Sequence, residues 1–126
     1  MTKYHAIIYG SIAAAIAVIF GAFGAHALKP HLSDYQIGIY QTGIQYQFIH
    51  ALAMLVIGNL LPKSRAALFF IIGIFCFSGS LYLLACRDLI PLSVAIAGPI
   101  TPIGGVCFIA GWITFIVEYR QYVKKM

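Results

Sequence analysis

Acidic residues are nearly missing from this chain: it has three, Asp34, Asp88 and Glu118, against eight lysines and arginines in 126 residues. All three lie outside the long apolar runs, so the spans carry no carboxylate of the kind a small proton-coupled exporter uses to trade protons for substrate. Cysteine is scarce as well. Cys76, Cys86 and Cys107 form no CxxC pair and are odd in number, so no disulfide framework can be read and their expected role is small apolar packing. A GxGxxG string is absent, as are a Ser/His/Asp set, a cluster with metal-ligand spacing and a phosphate-cradling glycine loop. No catalytic constellation, metal site or cofactor is therefore expected, and the chain reads as a non-enzyme. Internal repeats and low-complexity segments are missing too.

Charge of either sign is rare, at 9% of residues, whereas a soluble domain carries about a quarter. The net charge of +5 raises the question of a nucleic-acid surface. No basic stripe shares a face with exposed aromatics, which excludes that partner.

What the chain has instead is four long uncharged runs, residues 4–28, 35–62, 66–86 and 89–117. About 20 consecutive apolar residues suffice for a helix to cross a hydrocarbon core of roughly 30 Å. The fold class expected is all-α, an integral membrane four-helix bundle forming one domain over residues 1–126. Its spans are placed at about 4–28, 35–61, 66–85 and 94–117. Lys3 followed by an apolar stretch and Ala25-His26-Ala27 resembles a signal peptide, but the stretch exceeds the 7–15 residues of a signal h-region, so an uncleaved first span is expected. Lys3, Lys63, Arg65, Arg120, Lys124 and Lys125 fall on one side of a four-span topology, and Lys29 and Arg87 on the other. The positive-inside rule then puts both termini in the cytoplasm of a multi-pass plasma (bacterial inner) membrane protein. The lipid bilayer is the expected partner, with a homo-oligomer as an option.

Gly10, Ala14, Ala17, Gly21 and Gly24 recur at spacings of four and three, a small-residue seam for close helix packing. Gly104 and Gly105 are assigned the same role in span four. Ser33 and Gln36 form a capping box that opens span two, with Leu32 and Ile37 as its hydrophobic staple. A helix from there to Leu61 is long enough to bend near Gly43 or to leave its first turns in the headgroup layer. Pro99 and Pro102 each remove a backbone donor, so span four is expected to be broken, kinked or partly re-entrant at its outer end.

The polar residues inside the runs gather toward their outer halves. Tyr46, Gln47 and His50 fall within about a 100° arc of span two, and Ser78 and Tyr82 share a face of span three. Together with Ser80 and Thr101 they form a candidate polar pocket open to the outer face. Hydroxyls and amides in membrane helices also serve simply as interhelical glue, and both roles stay open here. His50, an ionisable residue within a span, is the leading functional candidate. His26 is secondary, because it lies about 200° around its helix from Gly24. A His26–His50 pair holding haem or metal is correspondingly remote.

Four strings identify a family resemblance: GAFGAHAL (21–28), TGIQYQFIHALAML (42–55), FSGSLYLLA (77–85) and TPIGGVCFIAGW (101–112). They resemble the domain of unknown function 423 family, small four-span inner-membrane proteins of bacteria, similar also to the transmembrane-protein-256 group of animals. The resemblance covers nearly the whole chain and implies a four-helix membrane protein with no established activity. Its recognisable residues are Gly21, Gly24, His26, Tyr46, Gln47, His50, Ser78, Gly79, Ser80, Tyr82, Thr101, Pro102, Gly104, Gly105 and Trp112. The functional expectation is a non-enzymatic binding, assembly or structural bundle. Two alternatives stay open: a small transporter or channel component working as an oligomer, and a haem- or quinone-binding redox protein.

Overall fold

The computed structural model describes all 126 residues as an antiparallel arrangement of four long helices. Helix α1 runs from Lys3 to Phe23 and continues through a wide π turn, Gly24–Leu28, and a tight 3₁₀ turn, Lys29–His31. Helix α2 is unbroken from Asp34 to Leu60. Helix α3 starts as Ala66–Gly73, widens into a π turn at Ile74–Ser78 and resumes as Gly79–Ala85. Helix α4 is Ala97–Lys124. All four are long and apolar enough to cross a membrane. The protein is an all-α integral membrane bundle.

Helix α2 is the centre of the fold. Its buried residues Gln36, Tyr40, Gly43, Gln47, His50, Met54 and Ile57 step by four and three, a straight stripe that faces the other helices. The capping box that opens it is present: the Gln36 N–H donates to Ser33 Oγ at 3.2 Å, and the Ser33 N–H donates to Gln36 Oε1 at 2.9 Å. Gly43 marks no bend; the Tyr82 ring lies against it, 2.8 Å from where a Cβ would stand.

Helix α1 packs on α2 through small residues, with Gly10, Ala17 and Gly24 of the expected seam buried and Ala13 in place of Ala14. Ala6, Gly10, Ala13, Ala17 and Gly24 are buried, and a Cβ on Gly10 would stand 2.8 Å from the Ala51 carbonyl. Ala14 is half-buried beside this core, and Gly21 has open space around it. Steps of four and three from Gly10 admit both Ala13 and Ala14, and the tilt of α1 on α2 selects the former.

Helices α3 and α4 meet through three phenylalanine-on-glycine contacts. Phe108 lies on Gly73, Phe70 on Gly111, and the backbone of Phe77 on Gly104, each within 2.5 Å of a hypothetical Cβ. The glycines let two helices bearing large rings approach closely, the exchange of bulk for backbone proximity that membrane helices favour. Gly105 stands aside, with Phe77 at ordinary contact distance.

Span four is continuous from Ala97 to Lys124, so the broken and re-entrant alternatives give way to a helix that carries Pro102 inside it. Pro99 is the third residue of α4, where a backbone N–H would have no partner within the helix, and Pro102 comes next inside a helix that continues to Lys124. The Thr101 hydroxyl donates to the Ala97 carbonyl at 3.0 Å, and the Gly98 N–H reaches the Ala95 carbonyl at 3.4 Å. These bonds tie the start of the helix together where the prolines donate nothing. The irregular backbone lies earlier, between Ile90 and Ile96.

At the basic end, Glu118 of α4 organises the start of α3. Its carboxylate accepts from Ser64 Oγ at 2.6 Å, from the Arg65 N–H at 2.8 Å and from the Ala66 N–H at 3.5 Å. A carboxylate beside the free N–H groups of a helix start satisfies them and meets the positive end of the helix dipole. The chain's first residues join the same turn: the Lys3 N–H donates to the Pro62 carbonyl and the Ser64 N–H to the Met1 carbonyl. All three cysteines are free, and burial pushes the Cys86 thiol above its ordinary value.

Candidate functional site

The polar side chains expected to share a pocket are distributed as a ladder of interhelical bonds along α2. At the start of α2, Gln36 Nε2 donates to Asp88 Oδ2 at 2.7 Å. About 6 Å deeper along the helix, Tyr40 donates to the Phe20 carbonyl at 2.7 Å, its ring flat against Gly24. Next, Gln47 bridges two neighbours: its Nε2 donates to the Ala13 carbonyl at 2.8 Å, and its Oε1 accepts from the Tyr82 hydroxyl at 2.7 Å. Deepest, about 24 Å from the start of α2 and slightly past its midpoint, His50 meets Trp112. A separate rung joins α3 to α4, where the Ser80 and Thr101 hydroxyls lie 2.6 Å apart; with the Thr101 proton on the Ala97 carbonyl, the one Ser80 proton is shared between the Thr101 oxygen and the Phe77 carbonyl at 2.8 Å.

The π turn in α3 explains why one short segment serves two partners. Its extra residue rotates the rest of the helix, so Ser78 and Tyr82 address α1 and α2 while Phe77 and Ser80 address α4. The residue pattern alone gives no sign of it.

His50 is 4% exposed and held on every side. Its ring stacks on Phe108 at 3.6 Å between centroids, with the Phe70 edge at 5.1 Å and Tyr46 at 6.0 Å. Nδ1 lies 2.7 Å from the Tyr46 carbonyl, which can only accept, so Nδ1 carries the proton. Nε2 lies 3.2 Å from the Trp112 indole N–H, which can only donate, so Nε2 is bare. These partners assign a neutral imidazole with both nitrogens engaged. Trp112 completes the arrangement, and its sequence separation from His50 left no local signal that the two would pair.

The remaining candidates are placed as follows. Tyr46 is 40% exposed, its ring against Phe77 at 4.6 Å. His26 is exposed and remote from His50, on the π turn of α1. Ser78 is fully buried, and its Oγ is the one buried side-chain polar atom without a hydrogen-bond partner. A cavity of about 480 Å³ touches only Gln47 and Tyr82 among the candidates and is otherwise lined mainly by apolar side chains of α1 and α3.

A double-mutant cycle reads the central rung. Gln47→Leu and Tyr82→Phe are each expected to lower unfolding free energy by about 1 kcal/mol, with a coupling energy near 0.6 and at most about 1.7 kcal/mol. Ser78→Ala breaks no bond, so it serves as the control and should be neutral or slightly stabilising. Equilibrium unfolding in mixed micelles measures the four proteins of the cycle and the control.

With this geometry in view, comparison with known proteins is informative. The family described as "Protein of unknown function (DUF423)" matches residues 20–105. The chain is 40% identical over 124 residues to the UPF0382 membrane protein YwdK of Bacillus subtilis (strain 168), covering 93% of this chain and 97% of that one. It is 43% identical over 121 residues to a UPF0382 membrane protein of Staphylococcus epidermidis (strain ATCC 12228), covering 92% and 95%. The UPF0382 inner membrane protein YgdD of Escherichia coli (strain K12) is 36% identical over 131 aligned positions, covering 99% and 96%. No solved structure matches. Four membrane-length helices and relatives matched over nearly their whole length lead to one conclusion: this chain belongs to the DUF423 family of membrane proteins, whose function is unknown.

Proposed function

We propose that this protein is a non-enzymatic membrane bundle serving as a binding, assembly or structural component, with its termini on the cytoplasmic side of the inner membrane. The observation that carries the proposal is that every buried side-chain polar group except the Ser78 hydroxyl has a hydrogen-bond partner within the protein. Gln47, Tyr82, Ser80, Thr101 and His50 all spend their hydrogen bonds on one another or on neighbouring backbone and side chains. Groups that close on each other hold helices together, whereas a transport path or reaction centre keeps donors and acceptors free for a guest. The basic residues at the Lys3, Arg65 and Lys124 ends support the orientation.

The same geometry argues against haem ligation. An axial ligand needs a bare imidazole nitrogen facing open space, and Nε2 of His50 is covered by Trp112 and flanked by Phe70 and Phe108. Proteoliposomes provide the test. The purified protein is expected to pass no potassium, proton or small polar solute above the protein-free background, and to carry no visible chromophore. Solute flux abolished by His50→Ala overturns the proposal.

A further inference from the structure

We propose that the groove between α1 and α3 holds one acyl chain of an anionic phospholipid whose headgroup sits at the basic end of the bundle. The proposal stands apart from the structural role above, since a scaffold and a transporter alike can carry a bound lipid. The groove is walled by Ile12, Ile16 and Phe20 of α1 and by Ile74 and Phe75 of α3. Gln47 forms its floor but turns its amide to Ala13 and Tyr82, so the surface offered to a guest is hydrocarbon.

Its dimensions select the occupant. From Tyr9 to Phe20 the wall runs about 16 Å along α1. A helix about 10 Å in diameter would occupy roughly 1,250 Å³ over that length, well above the cavity's volume of about 480 Å³. A helix with its side chains is about 10–12 Å in diameter, so a second copy of the chain cannot seat a helix there. A single hydrocarbon chain fits.

Charge fixes which lipid and which way up. Lys3 of α1 and Arg65, at the start of α3, each lie six residues before the first groove residue of their own helix, Tyr9 and Ile71. Each cation is therefore about 9 Å from the groove along its helix. The Lys3 N–H bond to the Pro62 carbonyl and the Thr2–Lys63 pairing hold the two helix starts side by side, adding Lys63 to the cluster. Glu118 is the acidic group at this end, and its oxygens are occupied by Ser64 and the backbone of Arg65 and Ala66. The three side-chain cations thus face solvent, where basic residues near the surface attract anionic headgroups at about 1 kcal/mol each.

The probe is phosphatidylglycerol with a diazirine near the acyl terminus, against phosphatidylcholine bearing the same label, in nanodiscs containing the full chain. Phosphatidylglycerol is expected to label Ile12, Ile16 and Phe75 at least fivefold more than phosphatidylcholine. Gly79 lines the groove, and a Cβ placed on it would meet no atom closer than 4.0 Å, so Gly79→Leu fills the space without a clash and should cut labelling tenfold. Ile12→Trp, at a half-exposed position, is the second filler should the first fold poorly. The double variant Lys3→Gln/Arg65→Gln should keep tail labelling but erase the preference between headgroups. Equal labelling by both lipids in the parent, undiminished labelling in both filled variants, or disulfide dimers of Phe75→Cys across the groove would overturn the proposal.

Discussion

Gly104→Ala should lower unfolding free energy by about 3 kcal/mol, while the same change at the adjacent Gly105 should raise it by about 0.5–1 kcal/mol. The contrast arises from the surroundings of each new methyl. At Gly104 it would stand 2.3 Å from the Phe77 backbone nitrogen and 2.7 Å from its Cα, inside any tolerable contact. Backbone cannot rotate away as a side-chain tip can, so α3 and α4 must separate. Separation also draws Phe70 from Gly111 and Phe108 from Gly73, loosening the whole seam. At Gly105 the nearest atom is the Phe77 ring at 3.8 Å, an ordinary contact, and only the better helix propensity of alanine remains. Equilibrium unfolding in mixed micelles reads both values. Equal effects at the two positions would mean that the seam is not as close as described.

His50→Ala is expected to cost about 3–5 kcal/mol, the range for deleting a large buried ring. The imidazole fills the space among Phe108, Phe70 and Trp112, and alanine leaves that space empty at mid-depth. His50→Phe separates packing from hydrogen bonding. It keeps the stack on Phe108 and gives up the bond to the Trp112 indole, so a loss of about 1–2 kcal/mol is expected. Trp112→Phe removes the same bond from the other side and should cost a similar amount. The pair together should cost less than the sum, because both single changes break one shared bond. Full stability in His50→Ala would show that the ring occupies no packed position, and with it would fall the case for a structural histidine.

The features legible in the sequence are local ones. Runs of uncharged residues fix the number of helices, and Ser33 with Gln36 fixes where α2 begins, because a capping box closes within four residues. Pairings between distant positions were not legible. Phe77 with Gly104, Phe70 with Gly111 and His50 with Trp112 depend on how helices settle against one another, and a single sequence carries no mark of that. The two π turns defeat periodicity outright, since one extra residue moves every later side chain around the helix. The candidates on α2 sort into separate rungs for a simpler reason: they lie at different depths along one straight stripe and meet different helices there. Pro99 misled for a different reason: in a first helical turn the missing donor costs nothing, and only the true helix start, Ala97, reveals that it lies there. Gln47, Tyr82, His50, Ser80 and Thr101 were identifiable as polar groups within apolar runs, whereas which of them pair, and that His50 pairs with Trp112, was not.

The three contacts that complete α3 all come from the last segment to be synthesised. Glu118 covers its opening amides, and Gly104 and Gly111 receive its phenylalanines. During translation the first two helices can pair through their small-residue seam as a finished hairpin. The third must wait in the bilayer with bare amide groups at one tip and unmatched aromatic rings along its flank. A chain cut before α4 is therefore expected to insert three helices yet leave the third, held by its bond to Gln47, with uncovered amides and rings.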